Sequence, residues 1–156
     1  MSASIHTLHV MLAGGWLGGV VFTTAVVSPA LKKMEWSEAE RVRVRAVIGK
    51  QYAGVGGVNL ALLMVFAILD GVLGGVGAVF YAEYALLLVL FGLVAAHGAY
   101  FGRRLVEQAQ AERGTGDVEE ARAFAEKRHA LQRLSLRVSL LDILISAAVV
   151  ALAVNA

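Results

Sequence analysis

The chain has 156 residues, of which 58% are hydrophobic and 17% charged, with 17 glycines, one proline, no cysteine and a formal charge of +2. Its mean hydropathy is +0.70. A soluble domain is typically about 45–50% apolar and about 25% charged, so the composition excludes intrinsic disorder and points to a chain that meets lipid. The lack of cysteine excludes disulfide scaffolds, thiolate metal sites and cysteine nucleophiles.

A transmembrane helix needs about 20 mainly apolar residues, and four segments qualify. The first, 5–31, holds no Asp, Glu, Lys or Arg. No basic stretch precedes it and it is longer than the apolar core of a signal peptide, so it reads as a true span. In the following loop, 32–51, Ser37 and Glu40 stand at capping-box spacing and predict a short helix over Glu38–Lys50. The second span is 52–69. The glycine-rich connection Asp70–Gly77 reads as a turn between antiparallel helices. The third span is 79–102, with Glu83 near its start and His97 near its end. Within the loop 103–133, Arg103–Arg113 keeps a helical pattern but is too charged for lipid. Gly114-Thr115-Gly116 breaks that pattern, and Asp117, three before Glu120, starts a new helix. The third span is therefore expected to continue beyond the bilayer and turn back into a helix over Val118–Val154, about 55 Å long at 1.5 Å per residue. Its end, 134–154, is the fourth span.

All 14 basic residues lie in or beside the two loops 32–51 and 103–133, Arg137 being the last, and none lies in the N-terminal tail or the 70–78 connection. Positive-inside logic places both loops in the cytoplasm and both termini outside. The expected fold is an all-α, antiparallel four-helix bundle integral to a membrane, with helices 3 and 4 extended into a cytoplasmic helical hairpin. The chain reads as one membrane domain over 1–156.

Ionisable groups inside spans cost about 2.5–3.5 kcal/mol each and need partners, so they are the candidate functional residues. His6 and His9 share a helix face. With Asp70 and Glu83, both near the same bilayer surface, they form an outward-facing polar cluster. His and carboxylate are ligands for zinc or copper. The same four residues also read as an interfacial hydrogen-bond group with His9 on Asp70. A second group, Asn59, His97 and Asp142, falls in the inner half at similar counted depth. It reads either as a proton or ion relay, with Arg137 near enough in sequence to share the Asp142 carboxylate, or as a buried network that fixes helix register.

Gly14, Gly15, Gly18 and Gly19 make two overlapping small-xxx-small patterns. They lie inside a span with no strand before them, so they read as helix packing, within the chain or across a homodimer, and not as a dinucleotide fingerprint. Trp16 reads as packing. His9 and His97, the in-span histidines, are expected in opposite leaflets, which makes one bis-histidine haem a poor fit; a single-His haem, or ligation by His129, stays open. No hydrolase triad, H-E-x-x-H or phosphate loop is present. The basic loops lie beside anionic headgroups, so nucleic acid is not needed as a partner.

Leu8-His9-Val10, Trp16-Leu17-Gly18-Gly19 and Ser28-Pro29-Ala30-Leu31 in the first span, Ile48-Gly49-Lys50-Gln51-Tyr52 before the second, and Arg128–Ser135 before the last carry a resemblance. The chain resembles a bacterial membrane family of unknown function related to transmembrane protein 205. More distantly, its opening helix is similar to that of copper-resistance protein D. The resemblance implies a four-helix membrane domain, and through the copper-resistance relatives a metal near His9 and a transport or tolerance role. The leading reading is a small transporter or metal-handling protein. A haem-binding or redox membrane protein and a membrane interaction scaffold are the alternatives.

Overall fold

The computed structural model describes residues 2–155. The first rod is α1 (Ser2–Phe22), a π-helical stretch Thr23–Val27 and α2 (Ser28–Lys33). The second is α3 (Glu38–Gly74); the third is α4 (Ala78–Ala96), a π-helical stretch His97–Gly102 and α5 (Arg103–Gly114); the fourth is α6 (Val118–Asn155). All four rods contain a stretch long and apolar enough to cross a membrane.

Local chemistry explains the breaks. Pro29 has no N–H, and its ring crowds the carbonyl four residues back; the wide π turn precedes it. The Thr23 hydroxyl donates to the carbonyls of Gly19 and Val20 at 2.9 and 3.0 Å, at the start of that turn. The α3 N-terminus carries the expected capping box. Ser37 N–H donates to Glu40 at 2.8 Å, and Glu40 N–H donates to Ser37 Oγ at 3.3 Å. α3 ends at Gly75, whose φ of +94° suits glycine and no other common residue. At α6, Asp117 Oδ1 accepts from Glu119 N–H at 2.8 Å. Glu120 accepts from the Thr115 hydroxyl at 2.6 Å and so closes the turn rather than a reciprocal box.

Two boundaries differ from the sequence reading. The helix expected over Glu38–Lys50 does not stop before the second span. It runs through Gln51 into one 37-residue helix, because nothing between Lys50 and Tyr52 breaks the backbone ladder. The turn expected over Asp70–Gly77 shrinks to residues 75–77, which leaves Asp70 within α3, one turn before its end. The returning helix is as expected: α6 spans 38 residues, about 57 Å.

α1 packs on α3 and α6, and α4 packs on α3 and α6, so α1 and α4 stand at opposite corners of a four-cornered bundle. The core follows 3–4 spacing on every helix. α1 buries His9, Ala13, Trp16 and Val20; α3 buries Leu60, Leu63, Ala67 and Asp70; α4 buries Phe80, Glu83, Leu87 and Leu90; α6 buries Ser146, Val149 and Ala153. The outward faces stay apolar: Val55, Leu144, Met11 and Leu88 are each more than 60% exposed. A water-soluble bundle would not leave such a belt uncovered.

Candidate metal centre

The buried stripes of α1, α3 and α4 each reach a polar residue at the end of the bundle that carries both termini. His9, Asp70 and Glu83 replace the apolar residue the periodicity calls for, and all three are buried. His6 lies one turn further out and is partly exposed.

Their contacts form a chain. His6 Nδ1 lies 2.8 Å from Asp70 Oδ2, and His9 Nδ1 lies 3.2 Å from the same oxygen. His9 Nε2 lies 2.7 Å from Glu83 Oε1. The His9–Glu83 contact therefore crosses the bundle diagonal between α1 and α4. Glu83 Oε2 is buried without a partner among the described residues.

His6, His9 and Asp70 present one ligand atom each, all within 4.8 Å of one another. Tetrahedral zinc with bonds of about 2.0–2.1 Å sets its ligand atoms roughly 3.3 Å apart, so an ion fits after shifts of less than about 1 Å. Two nitrogens and one oxygen suit Zn²⁺ or Cu²⁺ and leave a fourth position open to water. Glu83 belongs to the group in a different position from the one the sequence reading gave it. The two nitrogens of an imidazole point apart, so a cation on His9 Nδ1 is out of reach of the carboxylate at Nε2. Glu83 meets His9 Nε2 and lies outside the three atoms that converge.

The second expected group is not assembled. Asn59 donates to the Leu12 carbonyl at 3.1 Å. His97 meets Ser135 Oγ at 3.1 Å, while Asp142 accepts from Ser146 Oγ at 3.3 Å. Ser135 and Asp142 are seven residues apart on α6, about 10 Å along its axis, so His97 and Asp142 stand at different depths. Arg137 does not reach Asp142, because five residues turn a helix by about 140° and put the two on different faces. It is exposed and forms no ion pair among the described residues. His9 and His97 stand toward opposite ends of the bundle. Trp16 meets Ser146 and His97 meets Ser135, which puts the two histidines about 27 Å apart along the axis.

The glycine pairs divide between two faces. A Cβ on Gly19 would lie 2.8 Å from Tyr52 Oη, and one on Gly15 would lie 3.7 Å from Asn59 Oδ1, so this pair seats α1 on α3. Gly14 and Gly18 have nothing within 4 Å and face outward.

Two polar links escaped the sequence reading. Trp16, read only as packing, donates its indole N–H to Ser146 Oγ at 2.9 Å. Arg128 is buried at the opposite end of the bundle. It donates to Glu112 at 2.9 Å and to Glu38 at 2.8 Å, and so ties α3, α5 and α6 together. The signal for Arg128 was its place four residues before Gln132, which also donates to Glu38, at 3.1 Å. His129 beside it is exposed.

An antiparallel bundle of four long apolar helices, lipophilic outside and with polar clusters at both ends, defines a small integral membrane protein of the all-α class. The chain belongs to the family described as a domain of unknown function (DUF4149), whose pattern matches residues 11–114. Asp70 and Glu83 lie inside the matched stretch; His6 and His9 lie just before it. No curated protein and no solved structure matches the chain.

Proposed function

We propose that the protein is a metal-handling membrane protein that binds a divalent transition-metal ion, zinc or copper(II), through His6, His9 and Asp70. The observation that carries the reading is the convergence of three ligand atoms within 4.8 Å at the mouth of an otherwise apolar bundle. Charge supports it. Two buried carboxylates in low dielectric need neutralising, and one divalent cation balances Asp70 and Glu83. Exposure supports it as well, since the cluster grades from partly open His6 to His9, which is fully buried, and offers a way in from water. The absence of cysteine, and Met11 turned outward, favour a borderline cation over copper(I). The similarity of the opening helix to that of copper-resistance protein D points the same way. Positive-inside charge would set the cluster on the outer side of a bacterial inner membrane.

Below the cluster the axis is filled by Ala13, Leu63, Ala67, Leu87 and Leu90, all buried. A single copy then holds an ion at one mouth, and transport would need a path between copies. Gly14 and Gly18, left open by packing within the chain, are the face on which a homodimer would form.

Equilibrium dialysis in mild detergent against Zn²⁺ or Cu²⁺ tests the reading. The expected uptake is roughly one equivalent per chain. His9→Ala should abolish it and Asp70→Asn should weaken it, while His129→Ala, at the far end, should leave it unchanged. A folded wild-type protein that takes up no ion, or uptake that survives His9→Ala, overturns the reading.

A further inference from the structure

We infer that Glu83 is the positioning residue of the metal site: it fixes His9 as the Nε2–H tautomer and so commits Nδ1 to the cation. The inference rests on the metal-binding reading above and adds a role for the one buried carboxylate outside its ligand set.

Three observations carry it. Both His9 nitrogens face carboxylate oxygens, but unequally: Nε2 is 2.7 Å from Glu83 and Nδ1 is 3.2 Å from Asp70. The shorter contact has the length of a strong charge-assisted hydrogen bond, so Nε2 is where the ring proton is best held. With the proton there, the Nδ1 lone pair points toward Asp70 Oδ2, which is already shared with His6 Nδ1 at 2.8 Å. Two lone-pair donors then face each other, and that is the arrangement a cation between them relieves. Finally, His9 and Glu83 are both completely buried, so water cannot substitute for Glu83 in holding the ring. The second-sphere carboxylate on a metal-ligating histidine is a recurrent device that orients the ring and raises its basicity. Here the orienting group comes from α4 and the ligands from α1 and α3. Loading the site would therefore also fix α4, although α4 supplies no ligand.

The chemistry distinguishes Glu83 from a spacer. A glutamine keeps an oxygen that can accept from Nε2–H, whereas alanine keeps nothing. Glu83→Gln should retain most of the zinc affinity. Glu83→Ala should lose roughly ten- to a hundredfold, as removal of such outer-sphere partners does. Because Glu83→Ala can fail to fold, the deciding measurement is made on the wild-type protein. Histidine ¹⁵N shifts are recorded in lipid nanodiscs with saturating Zn²⁺, with His9 assigned by comparison with His9→Ala. The expected result is a zinc-bound Nδ1 and a protonated Nε2 on His9. Zinc bound through His9 Nε2 overturns the inference and leaves the metal-binding reading standing. So does wild-type affinity in a folded Glu83→Ala protein. A wild-type protein that binds no zinc overturns both.

Discussion

Trp16 and Ser146 show how one polar contact is graded by what its loss leaves behind. The indole N–H donates to Ser146 Oγ, and the same hydroxyl donates to Asp142 at 3.3 Å. Trp16→Phe keeps an aromatic ring against Tyr52, whose centroid lies 6.2 Å away, and leaves Ser146 bonded to Asp142. It should cost about 0.6 kcal/mol, the average for an interhelical hydrogen bond in a membrane. Ser146→Ala instead strands the indole N–H in an apolar core and removes the hydroxyl from Asp142, for about 1–3 kcal/mol. Unfolding free energies measured in bilayers should rank Ser146→Ala as the more damaging; equal costs would mean that the hydroxyl serves neither neighbour. The polar cluster at the termini was legible for a simple reason. His9 heads the series His9, Ala13, Trp16, Val20, and Glu83 stands in the series Phe80, Glu83, Leu87, Leu90, both at 3–4 spacing. Depth counting then put both at one bilayer surface. What it could not give was which His9 nitrogen meets which carboxylate, because that depends on ring orientation across the bundle diagonal.

At the scale of the element, helix starts were readable and joins were not. Ser37 with Glu40, and Asp117, are side-chain signals for a helix start and act as such. The union of the short predicted helix with the second span carries no signal, since a helix that does not break leaves no mark on composition. The second polar group misled for a related reason. Residue counts match depths only when helices share one register, and the count placed His97 level with Asp142 although it meets Ser135. The far end of the bundle adds ion pairs to the apolar packing of Leu31, Val42 and Phe101. Burial disfavours the ionised Glu38 carboxylate. The Gln132 hydrogen bond and the Arg128 and Arg41 guanidiniums outweigh that and hold its pKa below the ordinary 4.5. A carboxylate depressed in the folded state adds stability above its unfolded pKa and loses it as pH falls through the folded value. Acidification below 4.5 should therefore loosen the junction of α3, α5 and α6 before it loosens the apolar core. Hydrogen exchange at residues 103–133, corrected for its intrinsic pH dependence, should speed up in acid, and Glu38→Gln should already show part of that loosening at neutral pH. Exchange that does not change with pH at this junction would show that the ion pairs contribute nothing there.

For the whole molecule, composition and the four apolar runs were enough to fix the architecture, because lipid demands that each span satisfy its own backbone. Lipid also explains why the core is so thin. Much of the apolar surface faces outward, and the interior is a single stripe per helix, those of α1, α3 and α4 carrying His9, Asp70 and Glu83 toward one end. A membrane bundle stabilised only by packing has no use for two buried carboxylates and a buried histidine on its axis, given their insertion cost. Their presence at the mouth, with His6 beside them, is the ground of the proposed cation assignment. X-ray absorption at the zinc edge on the zinc-loaded, full-length protein in lipid tests that assignment most directly. The account expects a first shell of nitrogen and oxygen at about 2.0–2.1 Å with the outer-shell scattering of imidazole, reduced on His6→Ala. A shell of water oxygens alone, without imidazole scattering, would contradict it and leave His9, Asp70 and Glu83 as a structural hydrogen-bond chain.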